Sequence, residues 1–211
     1  MRPNETGARD LWAEEEHLFA REGTLRLCGV DEAGAGPLAG AVFAAAVILP
    51  RGLVLPGLDD SKRLTERRRE ALFPLIQEKA VAWAVAWADE REIDEINILN
   101  ARMLAMERAI AQLDPPAEFA LIDGNCGRGI SCPHETLVKG DSRSASIAAA
   151  SILAKVSRDR YMCQMAEQYP EYHFERHKGY PTKLHYEMLA RYGPCPIHRK
   201  SFLKKFYEQR N

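Results

Sequence analysis

The stretch from Leu27 to Leu49, LCGVDEAGAGPLAGAVFAAAVIL, decides the fold. Two apolar runs flank a turn of glycines and a proline, and the first run stops on two adjacent acids, Asp31 and Glu32. "LRLCGV" and "GAVFAAAVIL" are both apolar enough to be β-strands buried on two faces, as in a sheet covered by helices on each side. The glycines admit a tight turn, or backbone N–H groups bared to a close ligand. Their spacing matches neither a dinucleotide fingerprint nor a phosphate-binding P-loop with its lysine.

Outward from this hairpin the chain alternates. Residues 10–20 form a short charged helix, and Thr65 caps a helix over "ERRREALFPLIQEKA" that Pro74 is expected to kink or shorten. "VAWAVAWA" is a third strand. Ile96, Leu99, Met103, Met106 and Ile110 recur at helical spacing and end before Pro115-Pro116. "FALIDG" is a short strand ending at Asp123, "ETLVKGD" another ending near Asp141, and "SRSASIAAASILAKVSRDRYMCQMAEQY" a long helix. From Pro170 onward the chain is loop and short helix, rich in Pro, Gly and His. This order predicts an α/β domain with a mixed sheet and a helical C-terminal part.

Several classes drop out. No window approaches about 18 consecutive apolar residues, so no membrane span is expected. The start, MRPNETGARDLWAEEEHLF, lacks the apolar core of a signal peptide. Five cysteines with no C-x-x-C pair argue against a disulfide framework or a zinc site and favour a reducing cytoplasm.

The formal net charge of −1 hides an asymmetry: residues 1–138 carry 15 basic and 23 acidic side chains, residues 139–211 carry 14 and 7. Such an excess fits either a solvated helical face or a basic part that meets a polyanion. "FERHKGYPTKLHYEML" interleaves aromatic and basic residues, which suits a nucleic-acid strand as well as an ordinary surface loop. Its histidines match no standard metal-ligand spacing, and surface or backbone roles are expected for them.

Three strand candidates end on acids: Asp31-Glu32, Asp123 and Asp141. Ligands of sheet proteins collect at strand ends. Four carboxylates at one edge would repel each other unless a cation offset them, and an all-oxygen set suits Mg²⁺ or Mn²⁺. Such a cluster can hold two divalent ions and serve phosphoryl transfer. Taken singly, each acid also fits a turn or a helix cap, and Asp141 would make a good cap.

Six ordered segments then resemble one family, bacterial ribonuclease HII of the type 2 ribonuclease H group: "GVDEAGAGPLAGAVFAAAVIL", "DDSKRLTERRREAL", "EIDEINILNARMLAM", "LIDGN", "VKGDSRSASIAAASILAKVSRDRYM" and "HKGYPTKLHYEMLARYGPCPIHRKSF". The resemblance implies a ribonuclease H-like fold: a central mixed sheet flanked by helices and a small helical C-terminal region. It divides the chain into a charged extension (1–24), a catalytic core (25–168) and a substrate-binding region of the same domain (169–211). Carried over by position, the catalytic and metal-binding carboxylates are Asp31, Glu32, Asp123 and Asp141. Gly34, Ala35 and Gly36 would offer backbone contacts to a ribose 2′-hydroxyl, Tyr180 would meet the adjacent sugar, and Lys62 and Lys178 would contact phosphates. The implied substrates are RNA/DNA hybrids and DNA duplexes containing ribonucleotides, cut on the 5′ side of the ribonucleotide. No membrane is involved, a monomer is the simplest assembly, and recruitment by a sliding clamp is left open.

One position departs from the family pattern, which has Arg or Lys where this chain has Ala35. A cation near the scissile phosphate is thereby lost while the backbone donors remain. The alternatives are the sister type, ribonuclease HIII, whose extra N-terminal binding domain would not fit in the residues before Leu27; a catalytically weakened binding module; and a small-molecule phosphatase, on which the aromatic-basic segment would be wasted.

Overall fold

A computed structural model describes residues 10–23 and 26–208. Five strands form one sheet: β1 (Leu27–Ala33), β2 (Val42–Ile48), β3 (Ala82–Ala88), β4 (Phe119–Asp123) and β5 (His134–Leu137). They lie in the order β3-β2-β1-β4-β5. β1 and β2 pair antiparallel through the glycine turn, as do β2 and β3, whereas β4 joins β1 in parallel and β5 joins β4 in parallel. The sheet is therefore mixed and flanked by helices, the α/β arrangement that the resemblance led one to expect.

The helices are α1 (Ala13–Glu22), α2 (Glu66–Lys79), α3 (Glu90–Ala111), α4 (Ala145–Gln168), α5 (Phe174–His177), α6 (Lys183–Tyr192) and α7 (Lys204–Glu208). α3 covers one sheet face, where Cys28, Val30, Val42, Ala44, Ala84 and Ile122 meet Ala101, Ala105, Met106 and Ala109. α2 and α4 cover the other, where Ala45 and Val47 meet Phe73, Ile76, Ala149 and Leu153. β2 is buried along its whole length, as its unbroken apolar run requires. The small side chains of α4 let it lie close to β1. A Cβ added at Gly29 would stand 2.1 Å from the Ser146 carbonyl carbon, so glycine is what brings the start of α4 against the strand. No described helix is long and apolar enough to cross a membrane.

Several boundaries differ from the sequence expectation. β1 does not end at Asp31-Glu32 but carries both acids and continues to Ala33. β5 stops at Leu137, and Asp141 lies beyond it in a short 3₁₀ turn (Gly140–Ser142). Asp141 is not the helix cap either, because Ser144 caps α4 by accepting from the Ile147 N–H. α2 runs past Pro74 to Lys79. The ring faces solvent, where water can serve the Glu70 carbonyl that loses its donor. α3 begins at Glu90 and is broken at Asn97, whose φ of 66° leaves the helical region. The Asn97 side chain then accepts from the Leu99 and Asn100 N–H groups and restarts the helix as a cap.

The charged segment before β1 takes part in the core. Glu15 on α1 is buried and accepts from the Ser144 and Ser146 hydroxyls and the Ser146 N–H. Burial raises its pKa, and these hydrogen bonds act against that rise. A carboxylate at this place satisfies the orphan donors at the α4 N-terminus and complements the helix dipole. It also fixes the turn that holds Asp141. Residues 1–9 and 24, which complete the expected extension, lie outside the described residues.

Candidate active site

The period of two along a strand sorts the acids. Asp31 and Glu32 are neighbours in β1, so their side chains leave on opposite faces of the sheet. Asp31 faces the α4 side and Glu32 the α3 side. The parallel register that pairs Val30 with Ile122 sets Asp123 beside Asp31. Asp141 comes from the turn that enters α4, on the same face. Oxygens of Asp31, Asp123 and Asp141 consequently lie within 4.8 Å of one another. Glu32 is brought to the same strand end on the other face, where Arg102 of α3 meets its Oε1 at 3.0 Å.

This group is electrically unfinished. Burial, then the charges of Glu32 and Asp123, hold the Asp31 carboxyl well above the usual carboxylate range. Burial also raises Glu32, against the pull of Arg102, and raises Asp123 together with the charge of Asp141. Lys62 donates to Asp141 Oδ2 at 2.9 Å. Burial draws the Lys62 ammonium down, but that hydrogen bond and the charges of Asp31 and Asp141 outweigh it and hold its pKa above the ordinary value. The Lys62 turn is fixed from behind by a hydrogen bond between the buried Ser151 and Ser61 hydroxyls. One cation thus faces three clustered acids, and Glu32 Oε2 is buried with no hydrogen-bond partner among the described residues. Two or more carboxylates at this spacing cannot all ionise cheaply without a counter-charge. An all-oxygen donor set with an unused oxygen fits a hard divalent cation.

The glycine turn lies beside this group and is clamped by two arginines that escaped notice in the sequence. Arg199 and Arg158 are both fully buried. Arg199 donates to the carbonyls of Gly34 at 2.7 Å, Ala35 at 3.1 Å and Gly40 at 2.7 and 2.9 Å. Burial and the nearby Arg158 charge pull its pKa down to about 9. With the carbonyls of Gly34 and Ala35 turned to Arg199, the N–H groups of Ala35 and Gly36, on the far side of the same trans peptides, point away from it. Arg158 donates to the carbonyls of Ala39, Ala41 and Lys178 and lies 5.7 Å from the Tyr180 ring centre. Gly34 has φ 98°, and a Cβ there would stand 2.0 Å from Arg158 Nε, so no other residue fits. Both arginines lie in the motif segments "AKVSRDRYM" and "HRKSF", where polar and charged neighbours gave no signal that either is buried.

Tyr180 is about two-fifths exposed and stands against Gly36, whose added Cβ would lie 3.9 Å from its ring. Lys178 is placed near this segment, but its ammonium is held by the Glu175 carbonyl at 2.7 Å and Cys163 Sγ at 3.2 Å. The histidines are not on the surface: His177, His185 and His198 are buried in one stack. Their expected backbone roles do hold. His177 meets the Tyr172 carbonyl and the Gly179 N–H, and His185 meets the Tyr180 carbonyl. Burial lowers His185 and His198 to about 4 each, so the pair that meets Nε2 to Nε2 at 3.0 Å is neutral near pH 7.

A mixed sheet in this strand order, with acids gathered at the ends of β1 and β4, defines a nuclease of the ribonuclease H class. Comparison with known proteins then gives the family. Residues 28–205 match the family model described as Ribonuclease HII. A ribonuclease HII of Caldicellulosiruptor saccharolyticus is 51% identical over 94% of this chain and 97% of its own length, and one of Marinomonas sp. is 57% identical over 86% and 93%. Among solved structures, ribonuclease H2 from Pyrococcus horikoshii superposes with a TM-score of 0.70 at 26% identity, over 87% of this chain and 97% of its own. The chain belongs to the ribonuclease HII family and is an endoribonuclease of RNA/DNA hybrids.

Proposed function

We propose that the protein hydrolyses the RNA strand of RNA/DNA hybrids and also cuts on the 5′ side of single ribonucleotides within duplex DNA, leaving a 3′-hydroxyl and a 5′-phosphate. The observation that carries this is the approach of Asp31, Asp123 and Asp141 to within 4.8 Å beside a Glu32 oxygen that has no partner. These four carboxylates are the catalytic, metal-holding residues of the proposal, and two Mg²⁺ or Mn²⁺ ions are the cofactors. When bound, such ions lower the pKa of the attacking water and offset charge on the departing oxygen.

The chain's own residues supply orientation. Asp31 is fixed by accepting from the Glu32 N–H at 2.7 Å, and Asp123 by accepting from the Gly140 N–H at 2.7 Å. Neither carboxyl can swing far, which holds the reacting groups in line. Lys62 keeps a donor at the edge of the group and, being mostly exposed, can reach a substrate phosphate. Arg199 turns the carbonyls of Gly34 and Ala35 inward, so the N–H groups of Gly34, Ala35 and Gly36 can meet a ribose 2′-hydroxyl, the group that marks RNA from DNA. Tyr180, braced by Arg158, offers its exposed ring to the neighbouring sugar. For Lys178 to take a phosphate, its ammonium must leave Glu175 and Cys163. Residues 169–211 act as the substrate-gripping part of the same domain. The protein works as a monomer in the cytoplasm, a setting that suits its five free cysteines.

The test is a DNA duplex with one embedded ribonucleotide, incubated with Mg²⁺ or Mn²⁺. A single cut on the 5′ side, absent in Asp123→Asn, is expected. Cleavage confined to runs of ribonucleotides would refute the single-ribonucleotide part, and uncut substrate of both kinds would refute the whole.

A further inference from the structure

The Arg102–Glu32 ion pair has an unused atom on each side. Glu32 Oε2 and Arg102 Nε are both buried without a hydrogen-bond partner among the described residues. A buried charged pair is favourable only when its remaining donors and acceptors are matched. Each orphan here asks for a third party of opposite sign: a cation for the carboxylate and an anion for the guanidinium. Divalent ions held by the carboxylates supply the first, and that part rests on the function proposed above.

The surroundings supply the means for the second. Arg102 Nη2 lies 4.0 Å from where a Cβ of Gly124 would stand, directly after Asp123, so the guanidinium is next to the site. It also lines an open cleft of about 440 Å³ with Arg128, Asn97, Asn100 and Asn125, and no acid lines that cleft. The break at Asn97 starts a new helical segment, which sets Arg102 at the start of its second turn, facing Glu32. Arg102 is itself partly exposed. A forked guanidinium flanked by amides and a second arginine is chemistry for a phosphodiester.

We propose that Arg102 is a substrate-positioning residue that holds a backbone phosphate of the nucleic acid in the Arg128–Asn125 cleft. Glu32 keeps the guanidinium in place until the duplex arrives.

The experiment measures equilibrium binding, not turnover. In an Asp123→Asn background, a fluorescently labelled duplex with one embedded ribonucleotide is titrated at several salt concentrations. Adding Arg102→Ala is expected to weaken binding about tenfold and to lower the salt slope by about 1, the signature of one lost phosphate contact. Thermal unfolding of each variant controls for folding. Unchanged affinity and slope on Arg102→Ala, with salt-dependent binding by the parent, would overturn the proposal alone and leave Arg102 as a counter-ion of Glu32. Failure of the parent to bind the duplex at all would instead overturn the functional assignment, and this proposal with it.

Discussion

The two sides of the cleft bury charge in opposite ways. On the carboxylate side, Asp31, Glu32 and Asp123 all have pKa values raised by burial, and Glu32 and Arg102 each keep an unmatched buried atom. On the gripping side, Arg199 and Arg158 are buried just as deeply, yet carbonyl oxygens surround both guanidinium groups, and the three histidines are held neutral by their packing. A substrate-gripping surface must have one shape before the substrate arrives, and saturated hydrogen bonds give it that. On the carboxylate side the buried acids are not fully offset by their own neighbours, which costs stability and is what the proposed metal-holding role requires.

The largest effect that can break this contrast is at Asp31. Groups that merely support a metal ligand are worth about 10–100-fold, so Asp31→Asn should lower cleavage by on the order of a thousandfold or more. The same change removes a buried charge, so the metal-free protein should melt no lower than the wild type, and a few degrees higher is expected. A clear fall in melting temperature would show that Asp31 is structurally satisfied and that the contrast is wrong.

Next comes Arg199. Its removal leaves the carbonyls of Gly34, Ala35 and Gly40 without donors in a buried place. Leaving buried acceptors without donors costs about 1–3 kcal/mol each, taken as roughly 3–5 kcal/mol for these three after relaxation, and each kcal/mol shifts the midpoint by about 2–4 °C in a chain of this size. Arg199→Ala should therefore melt about 6–20 °C lower, measured by calorimetry, while the Asp31 variant does not.

Acid sharpens the contrast further. His185 and His198 have folded pKa values of about 4 against an ordinary 6.5, so the unfolded chain binds more protons between those values. Stability from the histidine stack is present above pH 6.5 and is lost as pH falls through 4, up to about 3 kcal/mol for each independent site and less for a coupled pair. The raised carboxylates act the other way. Their folded forms bind more protons than the unfolded chain, so the metal-free site gains stability as pH falls from the raised values towards the ordinary carboxylate range. A double His185→Gln, His198→Gln variant should flatten the loss between pH 6.5 and 4 and leave the gain; a profile unchanged by that variant would contradict it.

Smallest is the effect at Ala35. An arginine there adds one cation beside a phosphate, so Ala35→Arg should tighten duplex binding by about tenfold at most and steepen the salt slope by about 1. Gel-shift or anisotropy titrations at two salt concentrations read this directly, and an unchanged slope would place position 35 away from the substrate.

How much of this the sequence disclosed follows the same division. Asp31, Glu32, Asp123 and Asp141 stood out because an acid after an apolar run is a visible contradiction, and a sheet offers few reasons to bury one. The separation of Glu32 from the other three was not disclosed: the pattern gathered all four acids at one edge, whereas adjacent strand residues face opposite ways and Glu32 meets Arg102 on the other face. The saturated side was hidden. A buried arginine looks the same in a sequence as a solvated one, and Arg158 and Arg199 find their carbonyl partners across more than a hundred residues. For His177 and His185 the backbone roles were legible and the burial was not, because nothing local announces a ring cluster assembled from different turns. The helix break at Asn97 was likewise not legible, since asparagine tolerates a positive φ without demanding one.

The central claim is that the buried carboxylates form a divalent-ion site. It is tested most directly by titrating Mg²⁺ or Mn²⁺ into the protein by calorimetry at mildly acidic pH, in two buffers with different heats of ionisation. Because carboxyls with raised pKa values must give up protons to bind a cation, saturable binding with proton release is expected, and Asp31→Asn should abolish it. Binding without proton release, or no binding by a protein that still cleaves its substrate, would contradict the account.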